Sequence, residues 1–297
     1  MRNQADKIKI LLSGADGQLG QSLNVLLQTE EDIVLINTDV KDLDITDKIA
    51  VSNYIEKFAP DFVINAAAYT NVDLAEEEEK LAYRINAEGP LNLARSCAAA
   101  SIPLFHCSTD YVYHNKIEGK IKESDPKMPK GIYAKSKLLG EENIQKNLEH
   151  YYIFRVSWLY SEFGHNFLKT MLRLFDTRES LGVVSDQIGA PTYAGDLSTL
   201  ILKIIRINLS PTEHKPSYGV YNYCNEGEIS WYDFATKIAE ISGSECKIRA
   251  ISSNEYPTKA PRPLNSRLDM TKILATFGLE IPHWETALNR CMKNLGK

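Results

Sequence analysis

The stretch "GIYAKSKLLGEE", residues 131–142, sets Tyr133 and Lys137 four positions apart in a segment that reads as a helix. Four residues make about one helical turn, so the two side chains share a face. An isolated tyrosine titrates near ~10, too high for ready proton transfer at neutral pH, and a neighbouring ammonium stabilises the phenolate and lowers that value. The pair is a candidate proton donor and its activator. Fifteen tyrosines in a chain of ordinary lysine content give this spacing by chance roughly once, so its surroundings must decide.

Two neighbouring features do so. In "CSTDYVY" Thr109 and Asp110 close a predicted strand, at the carboxyl edge where open parallel sheets bind ligands. The Thr109 hydroxyl can hold a substrate carbonyl beside Tyr133. In "SGADGQLG", Gly14, Gly17 and Gly20, with Asp16, Gln18 and Leu19 between them, join the first strand to the first helix. Such a turn lets a pyrophosphate approach free N–H groups at a helix start, a variant of the dinucleotide fingerprint.

Asp39, about twenty residues beyond, can accept hydrogen bonds from ribose hydroxyls, which favours NADH. Lys41 offers charge to a 2'-phosphate and keeps NADPH open. Asp44 and Ile45 in "LDI" can flank the adenine. Ala66, Ala67, Ala68 and Tyr69 in "NAAAY" can lie along the cofactor, while the alanines also suit close backbone packing. Together these residues point to hydride transfer to a ketone, with Tyr133 giving the proton.

Holding them in one place requires a particular architecture. Apolar runs such as "IKILLSG", "IVLINTD", "DFVINAAA", "IPLFHCST" and "YYIFRVSWLY" alternate with helical patterns. Strands rich in Val, Ile and Leu separated by helices imply right-handed crossovers into a sheet covered on both faces. The expected fold is α/β, a Rossmann-like doubly wound parallel sheet with a smaller C-terminal lobe. Residues 1–157 form the dinucleotide-binding domain and 158–297 mainly the substrate lobe, with strands and a helix from about 181–225 returning to the first. Helices are expected near 165–175, 194–207, 230–242 and 284–295.

Composition narrows the class. With 43% hydrophobic and 25% charged residues the chain is of ordinary globular type, and a net charge of -5 gives no field to gather nucleic acid or anionic lipid. No run is long enough to cross a bilayer and "MRNQADKIKILLSG" lacks a signal-peptide core, so the cytoplasm is expected. Five scattered cysteines argue against a disulfide framework, and six histidines without metal spacing argue against zinc. Trp231 and Trp284 read as packing residues, whereas Trp158 suits packing or ligand contact equally.

"GADGQLG", "STDYV", "YAKSK" and Asn86 in "INAEGPLNL" resemble the extended short-chain dehydrogenase/reductases. "DLDITD", "NAAAYTNVDLAE", "RVSWLY", "HNFLKTM", "SDQIGAPTYAGDL", "SWYDFA" and "RPLNSRLD", in order from about residue 8 to 295, are similar to the dTDP-4-dehydrorhamnose reductase family within them. The resemblance implies reduction of the 4-keto group of dTDP-4-dehydro-L-rhamnose by NADPH or NADH, with Thr109, Tyr133 and Lys137 catalytic. It implies Asp110, Trp158, Asn166, Gln187 and Arg262 as substrate contacts, Arg262 through a bidentate fork on the diphosphate. It also implies water-mediated support of the lysine by Asn86, and admits a homodimer. "YHNKIEG" replaces the family's Phe-Asp-Gly turn and Ala134 a common glycine; a magnesium site is not carried over. The alternatives are a non-catalytic regulatory subunit of this fold, or a reductase or epimerase of another nucleotide sugar.

Overall fold

The computed structural model describes residues 7–113, 118–210 and 218–297. Its main sheet contains β1 (Ile8–Ser13), β2 (Ile33–Thr38), β3 (Phe62–Asn65), β4 (Leu104–Thr109), β5 (Tyr151–Val156) and the strand Gly219–Tyr223. All pair in parallel, and across the sheet they run Gly219–Tyr223, β5, β4, β3, β1, β2. The chain leaves β1 for β2 on one side and returns to β3 on the other. That reversal opens a crevice at the carboxyl ends of β1 and β3, where ligands of such sheets bind.

Successive strand residues point to opposite faces. Ile10, Leu12 and Phe105 enter a core with α1 (Gln18–Leu27) and the later helix Ala194–Leu209, while Leu11, Val63 and Leu104 enter another. The second core is closed by α2 (Lys48–Phe58), α4 (Gly89–Ala100) and α5 (Ile132–Asn147), with α3 (Glu79–Tyr83) leading into α4 through a wide turn. Asp47 caps α2 by accepting from the N–H groups of Ile49 and Ala50. Glu76 serves α5 from a distance, its carboxylate accepting the Ile132 N–H at 2.7 Å.

A buried ion pair ties α5 to the sheet. Arg155 on β5 donates from Nε and Nη2 to the carboxylate of Glu141 on α5, and from Nη1 to the Tyr113 hydroxyl at 2.6 Å. Ser108 donates to the same carboxylate.

The second lobe contains α6 (Phe167–Phe175), α8 (Trp231–Ser242) and the helix Trp284–Asn294, packed through Leu168, Met171, Phe234, Ile238 and Leu288. Trp284 is buried here. Between α6 and α8, α7 (Ala194–Leu209) returns to the first layer, where Arg206 pairs with Glu30 and Asp32.

The structure departs from sequence expectation in several elements. The strand at "LGVVSD", Ser180–Val184, pairs with Lys247–Ile251 and stays off the main sheet. Its N-terminal half is largely exposed, unlike a strand covered on both faces. Only α7 and Gly219–Tyr223 make the expected return. β3 stops at Asn65, so Ala66–Ala68 leave the sheet, and a helix at Thr271–Phe277 was not foreseen. The turn at "YHNKIEG" falls largely on residues 114–117, outside the described residues.

Candidate active site

Gly14 follows β1 with φ +75°, and a Cβ there would lie 2.4 Å from the Ala67 nitrogen. Both the backbone twist and this approach require glycine. A Cβ on Gly20 would lie 2.1 Å from the Gly14 carbonyl, so Gly20 seats α1 on the loop and does not line the crevice. Asp39 Oδ2 accepts the Asp16 N–H at 3.1 Å, which fixes the loop while leaving the carboxylate at the crevice wall.

The crevice is a cleft of about 760 Å³. One end is walled by Gly14, Asp16, Gly17, Gln18, Leu19, Asp39, Asp44 and Ile45, continuing along Ala66, Ala67 and Ala68. The other end gathers Thr109, Asp110, Tyr133 and Lys137 beside Trp158 and Asn166 from the second lobe. A glycine cradle, the first turn of α1 and an acid at the end of β2 fit a dinucleotide.

Thr109 caps the turn after β4 by accepting the Tyr111 N–H at 3.2 Å, and donates to Asp110 at 3.2 Å. Asp110 also accepts from Ser266. Burial pushes Asp110 up to about 6, opposed by these hydrogen bonds. The Tyr133 hydroxyl lies within electrostatic reach of Thr109, and its ring meets Tyr111 edge to face, with centroids 5.6 Å apart.

The expected lowering of the Tyr133 value by Lys137 is corrected here. Burial raises it well above the ordinary tyrosine value, and Thr109 is the partner that opposes the rise. Lys137 instead donates to the Cys107 carbonyl at 2.7 Å and lies 3.4 Å from His106 Nε2. Burial depresses its own value, against Cys107 and Glu141.

Four other expected residues lie away from this wall. Tyr69 turns out and donates to Glu78 at 2.6 Å. Gln187 donates to Ser253 at 3.0 Å. Arg262 pairs with Asp73 at 2.6 Å, and its charge reaches Tyr111. Asn86 bridges both backbone groups of Tyr69 and donates to Ser136, holding the loop after β3 with no direct contact to Lys137.

Sequence reasoning missed Trp231, which lines the cleft and stacks on Trp158 with centroids 3.9 Å apart. Trp158 has φ +50°, a strained setting for a bulky residue that costs of order 1–3 kcal/mol and clusters at functional sites. No local signal paired two tryptophans 73 positions apart. His106 and Ser266 were also missed, although the alternation of "IPLFHCST" puts His106 on the same face as Ser108.

Residues 8–297 match the family model for the RmlD substrate binding domain. The dTDP-4-dehydrorhamnose reductase of Aggregatibacter actinomycetemcomitans is 42% identical over 287 residues, spanning 94% of this chain and 97% of that protein. A solved dTDP-4-dehydrorhamnose reductase from Clostridium acetobutylicum superposes with a TM-score of 0.92 at 38% identity, covering 98% of this chain and 100% of that one. Another, from Bacillus anthracis in complex with NADP, gives 0.91 at 37%, covering 97% and 99%. With this likeness along its whole described length, the chain belongs to the dTDP-4-dehydrorhamnose reductase family of short-chain dehydrogenase/reductases.

Proposed function

We propose that this protein reduces the 4-keto group of dTDP-4-dehydro-L-rhamnose to give dTDP-L-rhamnose, at the expense of NADPH or NADH. The observation that carries the reading is one cleft in which the glycine loop and the Thr109, Tyr133, Lys137 group share the carboxyl edge of the sheet. When bound, the reduced nicotinamide supplies hydride to the sugar carbonyl carbon.

The remaining work falls to the chain. The N–H groups at the start of α1 hold the pyrophosphate, and Asp39 takes the adenosine ribose. Thr109 fixes the ketone oxygen, Tyr133 delivers a proton to it, and Lys137 replaces the proton on the phenolate. The raised Tyr133 value keeps the phenol protonated until charge develops on the sugar oxygen. Asp110, Trp158 and Asn166 border the sugar. Arg262 and Gln187 serve the nucleotide end only if substrate draws them from their present partners, Asp73 and Ser253.

The proposal assigns cofactor binding to residues 1–157 with α7 and Gly219–Tyr223, and sugar binding mainly to the rest of 158–297. Work in the cytoplasm and pairing of two copies belong to the same reading, the second tested by sedimentation. Incubation with dTDP-4-dehydro-L-rhamnose and each reduced nicotinamide tests the activity. Stoichiometric loss of cofactor absorbance is expected; an epimerised product without oxidation would overturn the reading.

A further inference from the structure

Behind the proposed proton donor lies a chain of buried polar groups, of which the reaction above uses Lys137 and leaves Asn65 and His106 unused. Asn65 ends β3, His106 lies beside it on β4, and Lys137 faces His106 from α5; all three are buried. Asn65 Oδ1 accepts the Ala67 N–H at 3.1 Å and the Ser13 hydroxyl at 2.9 Å. A backbone N–H can only donate, so the amide oxygen must face Ala67 and the amide nitrogen must face His106. Nδ2 of Asn65 stands 3.0 Å from His106 Nδ1, which therefore accepts. A neutral imidazole accepting at Nδ1 carries its proton on Nε2. That proton points at Lys137 Nζ, 3.4 Å away.

We propose that His106 is a positioning residue that sets the proton affinity of Lys137, presenting Nε2–H to the lysine nitrogen with a polarity imposed by Ala67 and Asn65. The inference rests on reading Tyr133 and Lys137 as the proton-transfer pair. An ammonium at Lys137 offers three donors, and one of its neighbours, the imidazole, offers another donor in return. A neutral amine has a lone pair to accept Nε2–H while still donating to the Cys107 carbonyl.

This asymmetry favours release of the lysine proton when it is wanted. As hydride reaches the sugar carbon, the Tyr133 O–H bond breaks and its proton goes to the sugar oxygen. The phenolate then takes a proton from Lys137, whose freed lone pair accepts from His106, and solvent restores the ammonium. Neutrality of His106 agrees with its surroundings, since burial first and the Lys137 charge second hold its value well below the ordinary one. The titratable groups around Lys137 are His106 and Cys107 on β4, with Tyr133 and Glu141 on α5; Tyr133 in turn faces Asp110 and Tyr111.

The test uses the full-length protein labelled with 15N and 13C, without substrate. Long-range imidazole spectra assign the His106 proton, with His106→Leu identifying its signals, and the Lys137 Cε resonance is titrated, identified by Lys137→Met. The expected wild-type proton is on Nε2. Asn65→Asp replaces the donor by a second acceptor of the same shape, so the proton moves to Nδ1 and the bare Nε2 accepts from the ammonium. Proton binding at Lys137 should then tighten by roughly tenfold or more. His106→Leu adds no charge and should shift Lys137 the same way; if it does not fold, the wild-type His106 tautomer still decides.

A wild-type proton on Nδ1 would overturn the proposal, as would a Lys137 titration unmoved by Asn65→Asp. Neither readout needs turnover. A failed reductase reading would appear separately, as no ketone reduction by a protein whose His106 and Lys137 behave as stated.

Discussion

Asn166, the N-cap of α6, donates its Nδ2 hydrogen to Gln18 Oε1 at 2.8 Å, while its Oδ1 accepts the Lys169 N–H at 3.1 Å. One side chain thus starts a helix of the second lobe and grips the first helix of the nucleotide loop. Asn166→Asp keeps the capping acceptor but loses the donor, placing a carboxylate against the Gln18 oxygen and the Ser161 and Phe163 carbonyls. Its expected signature is a several-fold rise in KM for the sugar nucleotide together with a larger loss of Tm than Asn166→Ala suffers, since one oxygen of a largely buried charge then faces acceptors alone. Asn166→Ala loses both, costing about 1 kcal/mol of stability as well. Steady-state kinetics with thermal melts of the two variants separate these roles.

Tyr133→Phe removes the proposed proton donor and leaves the glycine loop untouched. Cofactor binding, followed by quenching of protein fluorescence, should persist within about twofold, while kcat falls by about 10²–10⁴. Undiminished turnover would take Tyr133 out of the chemistry.

Asp110 predicts a pH dependence whose direction follows from its raised value, about 6 against an ordinary 3.8. The folded state binds this proton more tightly than the unfolded state. The stability it contributes is complete below about 3.8 and disappears as pH rises through about 6, a change of order 3 kcal/mol. Urea unfolding from pH 3.5 to 7.5 should show this falling component in the wild type and not in Asp110→Asn.

Arg155→Leu would leave the Glu141 carboxylate buried without its main partner. A loss of about 3–5 kcal/mol in chemical denaturation is expected. Adding Glu141→Leu should recover much of it, because removing both charges removes the desolvation cost as well.

Legibility in the sequence followed the range of the interactions. The apolar runs in "IKILLSG" and "IPLFHCST" are a local consequence of burying both faces of a strand, so the sheet and its carboxyl edge could be placed from short windows. The glycine loop was similarly local. Trp231 was not, because its partner Trp158 is brought to it only by the packing of the second lobe. Ser266 meets Asp110 through a short strand paired with Ile188–Gly189, and two paired residues leave no periodic pattern. The Tyr133 to Lys137 spacing located a shared helical face correctly. Spacing alone did not reveal that the lysine nitrogen is held by Cys107 and His106, which belong to another element.

The Ser266 to Asp110 hydrogen bond joins residues 156 positions apart. On a ribosome adding about 5–20 residues per second, Asp110 is made roughly 8–30 s before its partner exists. The nascent Rossmann layer can assemble its early strands during that interval, but the Asp110 carboxyl gains the Ser266 donor only after them. A chain cut before Ser266 would therefore keep the residues of the sheet's first five strands and the glycine loop while leaving Asp110 without that donor.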